Sequence, residues 1–220
     1  MYQHLDNLGQ PVDLPVGKVV CVGRNYLDHI EEMASTVPAA PLLFMKPAAA
    51  LCALNEPLVI PHGRGECHNE LEVAVLLSSP LSHASEDEVR AAVWGIGLGL
   101  DLTLRDVQKA LKADGQPWER AKAFDRSCPV SGFVPVSLFG DWQDLHFTLS
   151  INDEIRQRGH TALMLHAIVP LIQEMSTVFS LAPGDVIMTG TPKGVGPLHA
   201  GDRITASLTG QFDVQTTVVQ

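Results

Sequence analysis

The sequence predicts a β-dominated α+β fold in a single domain. Three observations predict it: short β-rich runs outnumber helical candidates, no strand–helix alternation recurs, and 220 residues suffice for one sizeable core. In chain order the runs are KVVCVG (18–23), LLFMK (42–46), ELEVAVLL (70–77), DLHFTLSIN (144–152), DVIMTG (185–190), DRITASLTG (202–210) and FDVQTTVV (212–219). Phe147, Leu149 and Ile151 alternate with His146, Thr148 and Ser150, which is the pattern of a half-buried strand; Ile204, Ala206 and Leu208 repeat it. SEDEVRAAVW (85–94) reads as a helix opened by a capping box from Ser85 to Glu88. TALMLHAIVPLIQEMSTVFS (161–180) places Leu163, His166, Ala167, Leu171, Glu174 and Met175 at helical spacing, with a kink or break at Pro170. Residues 1–17, with Pro11 and Pro15, read as a short lead-in to one domain over 18–220. There is no internal repeat, low-complexity tract or linker.

Composition narrows the function. A formal charge of -10 opposes nucleic acid or an anionic membrane surface as a main partner. The start, MYQHLDNLGQPVDLP, lacks the basic and apolar regions of a secretory signal, and no apolar stretch is long enough to span a bilayer. Cys21, Cys52, Cys67 and Cys128 are scattered without a C-x-x-C pair, as expected of reduced thiols in a cytoplasmic protein. Zinc on Cys67 and His68 would lack partners at ligand spacing.

The stretch HNELEVAVLL poses a physical problem. In an extended chain Glu70 and Glu72 face the same side, roughly 7 Å apart at the backbone. The apolar run from Val73 to Leu77 argues that this strand is buried, where unpaired carboxylates repel and one is driven neutral. A solvated strand edge is the plain alternative; a bound cation is the other. Asp101 ends the glycine-punctuated run GIGLGLD, where burying a lone carboxylate is costly. Together the three acids offer only hard oxygen donors, which favours Mg²⁺ or Mn²⁺ over zinc, and over Ca²⁺, which wants more ligands.

Other stretches add candidates. In CVGRNYLDHIEEM, His29 and Glu32 share a helix face, so the carboxylate can orient the imidazole for deprotonating water; an ordinary surface pair has the same spacing. Lys122, between Ala121 and Ala123, reads as a substrate-anion clamp or a snorkelling surface lysine. TGTPKGVGP (189–197) reads as a turn bringing backbone close to a ligand. It is not a Walker A loop, and GIGLG lacks the spacing of a dinucleotide fingerprint.

Taken in order, CVGRNYLDHIEEM, PLLFMKP, HNELEVAVLL, GLDLTLRDVQ, PWERAKAFDRSCPVSGF and LAPGDVIMTGTPKGVGP resemble the fumarylacetoacetate hydrolase family, closest to its short single-domain acylpyruvase and fumarylpyruvate hydrolase-like members. The resemblance implies a β-roll of mixed sheets with short flanking helices, a lid helix near the N-terminus, and a homodimer. It implies Mg²⁺ or Mn²⁺ on Glu70, Glu72 and Asp101, a water-activating dyad of His29 and Glu32, and an active-site lysine at Lys122. It assigns Arg24, Arg105, Gln108 and Thr191 to the substrate site. Lys46 falls in a family motif that leaves a structural and a ligand role both open, and His68 is not among the family's ligands.

The reaction implied is metal-dependent hydrolysis of the C–C bond of acylpyruvates such as fumarylpyruvate or acetylpyruvate, with pyruvate leaving as its enolate. Oxaloacetate decarboxylation and oxaloacetate keto–enol tautomerisation are the alternatives at the same site, each acting on a small 2-oxo acid. A non-catalytic binding module with a structural metal is the reading from a different class; it has no use for His29, Glu32 and Lys122.

Overall fold

A computed structural model of the chain describes residues 2–220. The fold is α+β and strand-dominated, as the sequence predicts. Its centre is an eight-stranded mixed sheet in the order Leu42–Lys46, Val19–Gly23, Val186–Met188, Leu71–Leu77, Val93–Leu100, Cys128–Val130 and Leu51–Ala53, with Val134–Pro135 added beside Val93–Leu100. A five-stranded sheet runs Glu154–His160, His146–Ile151, Arg203–Leu208, Phe212–Val219 and Leu58–Val59. Gly196–Pro197, Cys67–Asn69 and Thr103–Leu104 form a small third sheet.

Both faces of the central sheet are covered, which explains the unbroken apolar run at its middle. Leu71, Val73, Val75 and Leu77 point into the larger core, with Phe147, Leu149, Ile204, Ala206 and Leu208 from the five-stranded sheet. Ala74 and Leu76 point the other way, into a second core with Val19, Cys21, Val130, Phe133 and Met188. Residues 2–17 lie partly against this second face: Val12 packs into it, and Asp6 bridges to Phe133.

Among the described residues the five α-helices are short: α1 (Leu27–Glu32), α2 (Glu86–Ala92), α3 (Arg105–Ala113), α4 (Glu119–Lys122) and α5 (Ile168–Val178). α2 carries the expected capping box: the Ser85 side chain accepts from the Glu88 amide, and the Glu88 carboxylate accepts from the Ser85 amide.

Three expectations need correction. The segment 161–180 is not one kinked helix. Thr161–Leu163 is a 3₁₀ turn, an extended stretch follows, and α5 begins at Ile168. Pro170 therefore lies in the first turn, where its missing N–H costs nothing. The strand expected over 70–77 is present but begins at Leu71, because the chain breaks at Glu70 between Cys67–Asn69 and Leu71–Leu77. The Ser85–Trp94 helix ends at Ala92, because Val93 and Trp94 already belong to the next strand.

Candidate active site

Strand register builds the acidic centre. Leu71 pairs with Leu100 and Glu72 with Gly99, and just beyond the ladder the Asp101 amide donates to the Glu70 carbonyl at 2.8 Å. Side chains directly opposite each other share a face. Glu70, Glu72 and Asp101 therefore project together, away from the larger core, with one carboxylate oxygen from each lying within 4.8 Å of the other two. All three are buried. The alternating glycines of GIGLGLD keep this face clear: a Cβ at Gly99 would stand 2.8 Å from the Met188 sulfur, and one at Gly95 2.5 Å from the Val134 carbonyl oxygen.

Buried cations gather around the acids. Lys122, at the end of α4, places Nζ 2.7 Å from Glu70 and 2.5 Å from Asp101. It is 3% exposed, which excludes a snorkelling surface lysine. Lys46 Nζ lies 2.7 Å from Asp101 Oδ1 and donates to Ser127 and to the carbonyls of Lys122 and Leu102. All its contacts are internal, so the structure gives Lys46 a supporting position. Arg105, at the start of α3, donates to Glu70 at 2.5 Å and to Gln108 at 2.7 Å. His68 contacts Arg105 and Glu66, a layer away from the acids.

This environment splits the two glutamates. Burial would raise the Glu70 carboxyl, but Lys122 and then Arg105 outweigh it and hold it well below the usual range. Glu72 is pushed well above its usual range, first by burial and then by the Asp101 charge, against the Gly190 amide that donates to it at 2.6 Å. Burial would lower Lys122, yet Asp101 and Glu70 raise it.

The donor set fits a hard divalent cation. Three carboxylates converge, Glu72 has no cation of its own, and Asp101 Oδ1 is buried without an aligned hydrogen-bond donor among the described residues, Lys46 meeting it only as an ion pair. Of the remaining residues assigned to the site, Arg24, His29, Gln108 and Thr191 line the same cleft as the three acids, Arg105 and Lys122. Glu32 stands behind His29: one oxygen lies 3.2 Å from His29 Nδ1, and the other accepts from the Gly194 amide at 2.9 Å. Thr191 Oγ1 donates to the Leu71 carbonyl and accepts from Gln157. The turn 189–197 thus holds Glu72 through Gly190 and Glu32 through Gly194. Both glycines have positive φ, and a Cβ at Gly194 would meet the Arg156 carbonyl oxygen at 1.9 Å.

Sequence reasoning missed two residues here. Lys112 lines the cleft, and Arg105, Gln108 and Lys112 recur at the three- and four-residue steps of one helix face, a signal that was available. Gln157, fully buried on Glu154–His160, accepts from Asn69 and the Leu71 amide and donates to Thr191 and the Pro192 carbonyl. It ties the acidic strand to the turn, and nothing local in EIRQRGH marks it.

Comparison with known proteins places the chain. The sequence pattern described as "Fumarylacetoacetate (FAA) hydrolase C-terminal" matches residues 18–219. The chain belongs to the fumarylacetoacetate hydrolase family. Within this family it is 56% identical over 211 residues to "Oxaloacetate tautomerase YcgM" of Escherichia coli (strain K12), covering 96% of each chain. A crystal structure of a putative fumarylacetoacetate hydrolase family protein from Yersinia pestis CO92 superposes with TM-score 0.97 at 52% identity, over 99% of this chain and 100% of that one. The fumarylpyruvate hydrolase of Pseudomonas aeruginosa, solved with Mn²⁺ and pyruvate, superposes with TM-score 0.91 at 33% identity, over 98% and 94%. Among the described residues, no helix is long and apolar enough to cross a membrane.

Proposed function

We propose that the protein is a divalent-metal-dependent oxaloacetate keto–enol tautomerase. The observation that carries this reading is a set of cations at the cleft in excess of its carboxylates. Arg24, Arg105, Lys112 and Lys122 face Glu70, Glu72 and Asp101. The Lys112 ammonium is held below its usual range by partial burial and then by the like charges of Arg24 and Arg105. A divalent ion on the acids would leave the cleft net positive, as suits a small dianion with a carboxylate at each end. The 56% identity to a protein named oxaloacetate tautomerase, against 33% to a fumarylpyruvate hydrolase, points the same way.

Glu70, Glu72 and Asp101 would hold Mg²⁺ or Mn²⁺, which supplies Lewis acidity toward the keto oxygen of a 2-oxo acid when bound. Lys122 and Arg105 would steady the adjacent carboxylate, and Arg24 and Lys112 the distal one. His29, oriented by Glu32, would take a proton from C3 and return one to the C2 oxygen, so that keto and enol forms interconvert without an attacking water. In this reading α1, which carries His29 at the cleft, is the lid that admits the acid.

The His29–Glu32 hydrogen bond favours a second reading, acylpyruvate hydrolysis, in which the same imidazole deprotonates water. Oxaloacetate decarboxylation would use the same anion contacts. The homodimer implied by the resemblance belongs to this proposal, and light scattering reads it directly. The deciding experiment follows oxaloacetate enol decay, oxaloacetate decarboxylation and fumarylpyruvate cleavage with one Mn²⁺-loaded sample. Tautomerisation should have the highest kcat/KM; faster fumarylpyruvate cleavage would replace this reading with the hydrolase one.

A further inference from the structure

The solvent face of the five-stranded sheet carries a second convergence of metal-ligating atoms, built from residues the first site does not use. Asp144, His146 and His160 offer one ligand atom each, all within 4.8 Å of one another. Strand geometry makes the cluster. His146 and His160 are directly opposed across the antiparallel pair His146–Ile151 and Glu154–His160. Asp144 lies two residues before His146 and takes the same face, while Leu145 turns inward to the core.

The two imidazoles stack with ring centroids 3.9 Å apart and planes 19° from parallel. Both turn Nε2 toward one oxygen, Asp144 Oδ1, at 2.8 Å from His160 and 4.0 Å from His146. Ligands about 2.0–2.1 Å from a tetrahedral ion stand roughly 3.4 Å apart, between those two separations. As stacked, the two rings do not aim their lone pairs at one point, so binding requires His146, the more exposed of the two, to rotate out of the stack and bring its Nε2 onto the ion beside His160 and Asp144.

The backbone beneath them is already fixed. The Asp144 amide donates to the Asp141 carbonyl, the Leu145 amide to Thr161 Oγ1, and the Thr161 amide back to the Leu145 carbonyl. The ends of both strands are thus pinned before any ion arrives, which limits the ordering cost of binding.

We propose that Asp144, His146 and His160 form a surface site for a borderline transition-metal ion, Zn²⁺ above all, distinct from the acidic centre. Two imidazoles with one carboxylate suit Zn²⁺, Co²⁺ or Ni²⁺, whereas Mg²⁺ and Mn²⁺ suit the all-carboxylate set of Glu70, Glu72 and Asp101. The Nε2 proton that His160 shares with Asp144 moves to Nδ1, leaving the Nε2 lone pair for the ion, and the imidazole stays neutral. Three protein ligands leave an open position for water.

The test titrates Zn²⁺ into the full chain saturated with Mg²⁺, followed by calorimetry, and repeats it with Co²⁺ followed by its visible absorption. The parent should bind one Zn²⁺ that His146→Ala and His160→Ala each weaken by at least the roughly 10–100-fold that losing a supporting group costs. The same variants should lose the Co²⁺ spectrum. His146 and Asp144 are largely exposed, so His146→Ala and Asp144→Asn leave the core intact, and circular dichroism confirms the fold in each sample. Equal Zn²⁺ affinity and stoichiometry in the parent and His146→Ala would overturn the proposal and assign the Zn²⁺ to the acidic centre or to scattered surface groups.

Discussion

The acidic centre and α1 meet in one cleft but are held in opposite ways. Glu72 projects from a paired central strand and Glu70 and Asp101 from the positions flanking that ladder, and Lys46, Lys122 and Arg105 close on Glu70 and Asp101 from separate elements. α1 has six residues and no side-chain cap on its N-terminus. A few contacts dock it: Glu32 on the Gly194 amide, Lys193 to Asp28 at 2.9 Å, and the buried Ile30. It follows Arg24, whose φ of 61° is unusual for a non-glycine residue. The difference matches the two proposed roles: a cation site needs preorganisation, whereas a lid needs to be able to leave.

Breaking the rigid side should have the largest effect. Asp101→Asn strips the buried Lys46 and Lys122 ammoniums of a shared counter-charge, so denaturant titration of the metal-free protein should show a loss of about 3–5 kcal/mol. The variant should also fail to bind Mn²⁺ and to turn over. Stability within about 1 kcal/mol of the parent would mean that these lysines reach solvent in the metal-free state.

Breaking the α1 side should cost rate and not stability. His29→Ala should slow turnover on the order of 10²–10⁴-fold, the usual worth of a positioned acid–base group. Glu32→Gln should do less, because the imidazole remains and loses only its orienting charge. Turnover at the parent rate in both would reduce His29 and Glu32 to an ordinary helix pair.

The same contrast explains what could be read from the sequence. Glu70 and Glu72 were legible because two carboxylates ahead of an apolar run conflict with burial, and the conflict needs no tertiary information to state. His29 with Glu32, and Ser85 with Glu88, were legible because their spacing is local. α3 was not: its polar face lines the cleft instead of solvent, and its apolar residues are too few to form a stripe. Glu154–His160 escaped because its central buried residue is Gln157, and because Gly159 stands where a Cβ would lie 2.1 Å from the Phe147 ring. The start of α5 was misplaced because helical spacing continues upstream of Ile168, while Asn25 captures the His166 amide and carbonyl and holds that stretch extended.

A smaller effect sharpens the account of the rigid side. The folded-state value of Glu72 lies above its unfolded value of about 4.3, so its contribution to the metal-free protein is full below that pH and is lost as pH rises toward the folded value. A divalent ion displaces that proton. Thermal stabilisation by Mg²⁺ should therefore grow as pH rises from about 4, and calorimetry in buffers of different ionisation heat should show proton release. A pH-independent Mg²⁺ shift would place Glu72 outside the ligand set.

The division of labour itself is tested most directly by measuring Mn²⁺ affinity, by electron paramagnetic resonance, and oxaloacetate turnover in one His29→Ala sample. The account predicts an unchanged Mn²⁺ affinity with turnover at least about a hundredfold below the parent. A variant that loses Mn²⁺ affinity in step with turnover would contradict it, because α1 would then be part of the cation site.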